Sequence, residues 1–183
     1  MDRKLFTRKR ISRKRSLNHR SVNTRERFCL RIRPMHESVV ATVKRLENQC
    51  YPYPWPAWLF RGAIRTRMNC WVIEADHEVI GFGIAHLKRH WLHLMNVCIA
   101  AKYRNRGLGK KLTAHLLSEA RKQHAAYSWL EVRPDNHAAI NLYKTLGFRC
   151  VTLRKKYYPS PRGRLPAIVM AKKLKRQSWS IKV

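Results

Sequence analysis

The chain has 183 residues, 45% of them hydrophobic, enough for one domain with a well-buried core. It carries 40 Lys and Arg against 10 Asp and Glu, a net charge of +30, which argues for an anionic partner or environment and is silent on fold. No run of about 18 apolar residues is present, which excludes a membrane-spanning helix, and the N-terminus lacks the apolar core of a secretory signal, so a cytoplasmic protein is expected.

Residues 1–27 hold 11 of the basic and 2 of the acidic side chains and few large apolar ones. They read as a disordered basic arm able to meet RNA or the ribosome, although an Arg-rich, Ser-containing, acid-poor start also resembles an organellar transit peptide. The domain follows at 28–174, and 175–183 is a short basic tail. Residues 28–183 keep a net charge of +21, so the basicity belongs to the whole chain.

The segment "CLRIRP" alternates apolar and basic residues as a half-buried strand does, and residues 37–47 place Val39, Val43 and Leu46 on one helical face. "YPYPWPAW" is a loop, because Pro52, Pro54 and Pro56 prevent a continuous helix. Strands are expected at 70–75, 78–87 and 92–100. Leu108, Leu112, Leu116 and Ala120 recur at i+4 and predict a helix from 108 to about 123. A strand at 127–133, a helix at 136–146 with Asn136 as its N-cap and Gly147 as its C-cap, and strands at 148–157 and 166–172 complete an α/β chain. Five widely spaced cysteines with no CxxC pair (Cys29, Cys50, Cys70, Cys98, Cys150) read as separate thiols rather than a disulfide or zinc framework.

At the centre, a strand runs into "NRGLGKK" and then a helix, an arrangement that aims backbone N–H groups and the positive end of the helix dipole at one anion. A P-loop needs four residues between its glycines, and only Leu108 separates Gly107 from Gly109. A dinucleotide fingerprint needs a third glycine where this chain has Leu112.

"RNRGLG", followed by the Leu-periodic helix and by "WLEVRPDNHAAINLYKTLGF", "KYYP" and "AIVMA", resembles the GNAT N-acetyltransferase superfamily over about residues 30–173. Within it, the run "LEVR..N..AI.LY..LGF" is most similar to the RimI-type enzymes, which acetylate the N-terminal alanine of a small-subunit ribosomal protein. The resemblance implies a single GNAT domain, with a central mixed β-sheet splayed between its halves and helices on both faces. It implies acetyl-CoA as co-substrate, with the backbone of Arg104, Asn105, Arg106, Gly107, Leu108 and Gly109, and Lys110 beside it, on the pyrophosphate. Val97, Cys98 and Ile99 then border the pantetheine arm, which Asn136 and Tyr143 also touch.

By the same resemblance Glu131 is the general base and Tyr143 the acid that protonates the departing thiolate, while Tyr53, Trp55, Tyr157 and Tyr158 flank the peptide groove with Glu131. The chemistry needs such a base: an α-amine of pKa about 7.7–8.0 is mostly ammonium at neutral pH and must lose a proton before attack. The plainer readings are a strand carboxylate paired with Arg133 or another cation, and a packed tyrosine. Where RimI-like sequences carry acidic residues before the last strand, this chain has Leu165 and Pro166, which removes a partner for a basic peptide. His86, His90 and His93 cluster without a defined ligand face or a nearby carboxylate, so no metal is expected. The rival functions are a GNAT enzyme acting on a lysine or small amine, and a ribosome- or RNA-binding protein that keeps the fold with little activity.

Overall fold

Alternating apolar residues and tight turns build the first half of one sheet. The computed structural model describes residues 28–174; the expected arm, 1–27, and tail, 175–183, lie outside the described residues. Strands β1 (Leu30–Pro34), β2 (Asn69–Ala75), β3 (Glu78–Lys88) and β4 (Trp91–Ile99) lie side by side, each antiparallel to the next. Asp76 and His77, at φ 48° and 69°, close the β2–β3 hairpin in two residues, the left-handed turn that suits strand twist. β5 (Tyr127–Val132) pairs parallel to β4, and β7 (Gly163–Lys173) and β6 (Arg149–Ser160) complete the order β1-β2-β3-β4-β5-β7-β6.

Helices α1 (Val40–Cys50) and α2 (Ala57–Arg65) cover one face, with Phe60 of α2 edge-on to Phe82 of β3 at 5.6 Å. On the other face, α3 (Leu108–Lys122) lies so close over Gly83 that a Cβ there would come within 2.7 Å of Leu116. α4 (His137–Thr145) packs beside α3, Ile140 joining Leu116 and Leu117 in one cluster. Fully burying side chains such as Leu112 and Leu116 contributes about 1.5–3 kcal/mol each.

Several expected boundaries move. The helix read at 37–47 begins as a 3-10 turn, Glu37–Val39, so Val40 rather than Val39 takes the buried position with Val43 and Leu46. α2 begins at the first residue after Pro56, so Ala57 and Trp58, read as the end of the loop, open a helix instead. β6 and β7 run longer than expected, because they pair with each other as a hairpin, and residues 149–156 of β6 form an exposed edge. Cys50 and Cys98 are not separate thiols: α1 lies along β4, bringing residues 48 apart in sequence to a Cα separation of 6.6 Å, and their sulfurs are bonded. Cys29, Cys70 and Cys150 are free.

What positions the site is the junction of β4 and β5. Their pairing covers only Trp91 to Leu94 against Tyr127 to Leu130. There Met95 is an extra residue, since Leu94 opposes Ala85 while Asn96 already opposes Ile84. Such a bulge bends its strand and ends regular pairing. Beyond it, among the described residues, Glu131 and Val132 pair with β7 and not with β4.

Candidate active site

The glycine turn follows β4 and starts α3. Asn105 and Gly107 adopt φ 59° and 76°, and Lys111 N–H donates to the Gly107 carbonyl (3.0 Å) to close the first turn. The N–H groups of Leu108, Gly109 and Lys110 therefore precede that bond at the positive end of the helix. At Gly109 a Cβ would sit 2.9 Å from the Leu142 side chain of α4, so a side chain there would have to displace Leu142. Arg104 is an anchor for the turn: its N–H donates to Ala101 and its Nε to the Ile99 carbonyl at 3.0 Å. The Arg106 guanidinium lies over the rings of Phe28 and Tyr103, and Lys110 is exposed.

Where β4 and β5 part, a cavity of about 340 Å³ opens. Tyr53, Trp55, Val97, Glu131, Asn136, Tyr143, Tyr157 and Tyr158 all line it. Thus residues from the 51–56 loop, β4, β5, α4 and β6 converge there. Cys98 and Ile99 lie further along β4, buried, outside that lining. The Val97 carbonyl accepts from the Tyr51 hydroxyl at 2.8 Å, tying the loop to the strand. Asn136 caps α4, its Oδ1 accepting from Ala139 N–H at 3.1 Å, a bond whose loss costs about 0.5–2 kcal/mol. Burial pushes the Tyr143 hydroxyl up to about 12, so it is a protonated donor throughout the physiological range.

The Glu131 side chain is 4% exposed and held at both oxygens: Oε2 by His93 Nε2 at 2.7 Å and Oε1 by Arg154 at 2.9 Å. Burial works against its charge, but the hydrogen bond and charge of His93, with hydrogen bonds from Tyr157 and Arg154, outweigh it and hold the carboxyl below the usual glutamate range. Arg133 is not its partner; it grips Asp135 through two bonds of 3.0 and 2.8 Å. His93, expected to have no carboxylate nearby, meets this one, and it also stacks flat on Trp129 at 3.9 Å. Among the described residues no cluster of three or more His, Cys, Asp or Glu is placed to hold a metal.

Glu47 is a site residue that sequence reasoning missed. It lines the same cavity, is 1% exposed, and accepts from Trp55 N–H (2.9 Å) and from Asn96 Nδ2. Desolvation raises its pKa, and the bonds from Trp55 and Asn96 and the charge of Lys44 only partly oppose that. Its signal was available, since Glu47 falls on the stripe of Val40 and Val43, where a carboxylate is costly unless bonded.

A mixed sheet parted at its centre, a glycine turn opening the next helix and a cavity at the parting define the acyl-CoA N-acyltransferase class of fold. The Acetyltransferase (GNAT) family matches residues 36–148. The [ribosomal protein bS18]-alanine N-acetyltransferase of Escherichia coli K12 is 35% identical over 126 residues, covering 69% of this chain and 85% of the relative. The enzyme of that name from Haemophilus influenzae is 35% identical over 128 residues, 69% of this chain and 86% of its own. The crystal structure of the E. coli ribosomal-protein-S18-alanine N-acetyltransferase superposes with TM-score 0.75 at 29% identity, over 84% of this chain and 99% of that one. The chain belongs to the GNAT family of acetyltransferases, whose enzymes use acetyl-CoA.

Proposed function

We propose that this enzyme transfers the acetyl group of acetyl-CoA to the α-amine of a protein N-terminus, with the N-terminal alanine of a small-subunit ribosomal protein as the acceptor. The observation that carries the reading is the cavity at the parted strands, in which Glu131 and Tyr143 face one space walled by Tyr53, Trp55, Tyr157 and Tyr158. The names of the 35%-identical relatives supply the alanine acceptor.

In this reading the turn at 104–109 holds the pyrophosphate through the free N–H groups at the start of α3, and the edge of β4 from Val97 to Ile99 borders the pantetheine arm. Glu131 provides the carboxylate of the path that takes the ammonium proton, and the Tyr143 hydroxyl delivers one to the departing thiolate. A Val at Gly107, where φ is 76°, or at Gly109, where Leu142 is in the way, removes the backbone approach. Calorimetry on folded Gly107→Val and Gly109→Val proteins is expected to give roughly tenfold or more weaker acetyl-CoA binding. The basic arm and surface serve contact with the ribosome or RNA, so removing residues 1–27 should flatten the salt dependence of RNA binding. Profiling protein N-termini in cells lacking the enzyme tests the function as a whole: a small-subunit protein should lose its N-acetylalanine, and unchanged N-termini would refute the reading.

A further inference from the structure

Building on that acceptor reading, we propose that His93 is the residue that accepts the proton of the substrate ammonium, with Glu131 behind it orienting the ring and stabilising the imidazolium. The Glu131 side chain is 4% exposed against 24% for His93, and both line the cavity. Both carboxylate oxygens are already occupied, one by His93 and one by Arg154. A carboxylate held ionised in this way is a weak proton acceptor and a good partner for a cation.

The ring geometry fits the role. An ionised carboxylate only accepts, so in the neutral ring the nitrogen facing it, Nε2, carries the hydrogen and Nδ1 the lone pair, while the imidazolium carries both hydrogens and is the form whose charge lowers the pKa of Glu131. No hydrogen bond involves Nδ1 among the described residues. Stacking on Trp129, 5° from parallel, fixes the plane of the ring. This is the division of labour of a carboxylate–imidazole pair, in which the acid holds tautomer and orientation and the imidazole moves the proton.

The transfer conserves atoms and charge. The ammonium R–NH₃⁺ gives one proton to Nδ1, directly or through a water, and the amine lone pair forms the N–C bond at the thioester carbonyl. As the C–S bond breaks, the second nitrogen proton leaves and the thiolate receives a proton by way of Tyr143. The imidazolium then releases its proton to solvent, so one proton is freed for each acetyl moved.

The titratable and charged groups around the ring are Glu131 of β5, with Arg154 and Tyr157 of β6 acting through it, and His86 opposite on β3. Glu47 and Arg133 border the same cavity. The experiment measures kcat/KM on an N-terminal alanine peptide from pH 5.5 to 9.5 for wild type, His93→Gln and His93→Ala, and the ring tautomer by nitrogen NMR on the wild type. His93→Gln should lose roughly 10- to 100-fold near pH 7, with a smaller deficit where the amine is already neutral. Free imidazole should partly restore His93→Ala, as it would not for a side chain that only packs. A wild-type rate and pH profile in His93→Gln, no rescue by imidazole, or hydrogen on Nδ1 in the neutral ring would each overturn the inference. A wild type that turns over no N-terminal peptide would instead remove the acceptor reading and this inference together.

Discussion

Two buried carboxylates face one cavity from opposite sides. Glu47, on α1, meets an amide and a backbone N–H, so desolvation dominates and its pKa rises. Glu131, on β5, meets an imidazole, a guanidinium and a phenol, so its pKa falls although burial opposes that. Burial alone therefore does not decide a carboxylate's role. Neutral donors on the α1 side make Glu47 a tie between helix, loop and β4, while His93 of β4 with Arg154 and Tyr157 of β6 keeps Glu131 ionised beside the same cavity.

The largest effect is expected at Glu131. Glu131→Gln keeps the shape and loses the charge, so turnover on an N-terminal alanine peptide should fall roughly 10²-fold or more near neutral pH and recover in part as the amine deprotonates at higher pH. A variant with wild-type turnover but a lowered melting temperature would make Glu131 a structural ion pair like any other. Tyr143→Phe comes next: turnover should fall about tenfold or more at every pH up to the range where tyrosine ionises, with acetyl-CoA affinity by calorimetry unchanged. Wild-type turnover there would mark Tyr143 as packing only.

Glu47 gives the smallest effect and the opposite sign. A carboxyl whose folded pKa is depressed stabilises the fold above the ordinary value of 4.5 and loses that contribution as pH falls through the folded value. Glu131→Gln should therefore melt lower than wild type at pH 7, by an amount that shrinks below about pH 4.5. Where the folded pKa is raised, ionisation costs stability, so Glu47→Gln should gain on wild type as pH rises from 4.5 through the folded value. Asn96 Oδ1 is buried without a hydrogen-bond partner among the described residues, and a flipped Asn96 amide can accept from the amide nitrogen that Glu47→Gln introduces. Thermal melts of both variants from mildly acidic to neutral pH check the signs; parallel curves would break the contrast.

The parts legible in the sequence were those set by local pattern. Leu108, Leu112 and Leu116 marked α3, Gly107 and Gly109 marked the turn at its start, and Asn136 marked the cap of α4. α2 was hidden because only Phe60 and Ala63 of its nine residues are buried and Gly62 interrupts a short helical pattern that follows three prolines. The partners of Glu131 were not legible, since His93 and Arg154 lie 38 and 23 residues away and meet it only through sheet register. The contact of Cys50 with Cys98 depends likewise on α1 lying against β4. Spacing along the chain favoured Arg133 as the near cation, but its side chain goes to Asp135, two residues on.

The cavity between β4 and β5 is read as the place where an α-amine is acetylated, and regioselectivity tests that most directly. The measurement mixes the full chain and acetyl-CoA with a peptide that begins with alanine and carries an internal lysine, then locates the added acetyl group by fragmentation mass spectrometry. The acetyl group is expected on the alanine nitrogen, and none on the same peptide once that nitrogen is blocked. Acetylation of the lysine, or equal transfer to the blocked peptide, would contradict it.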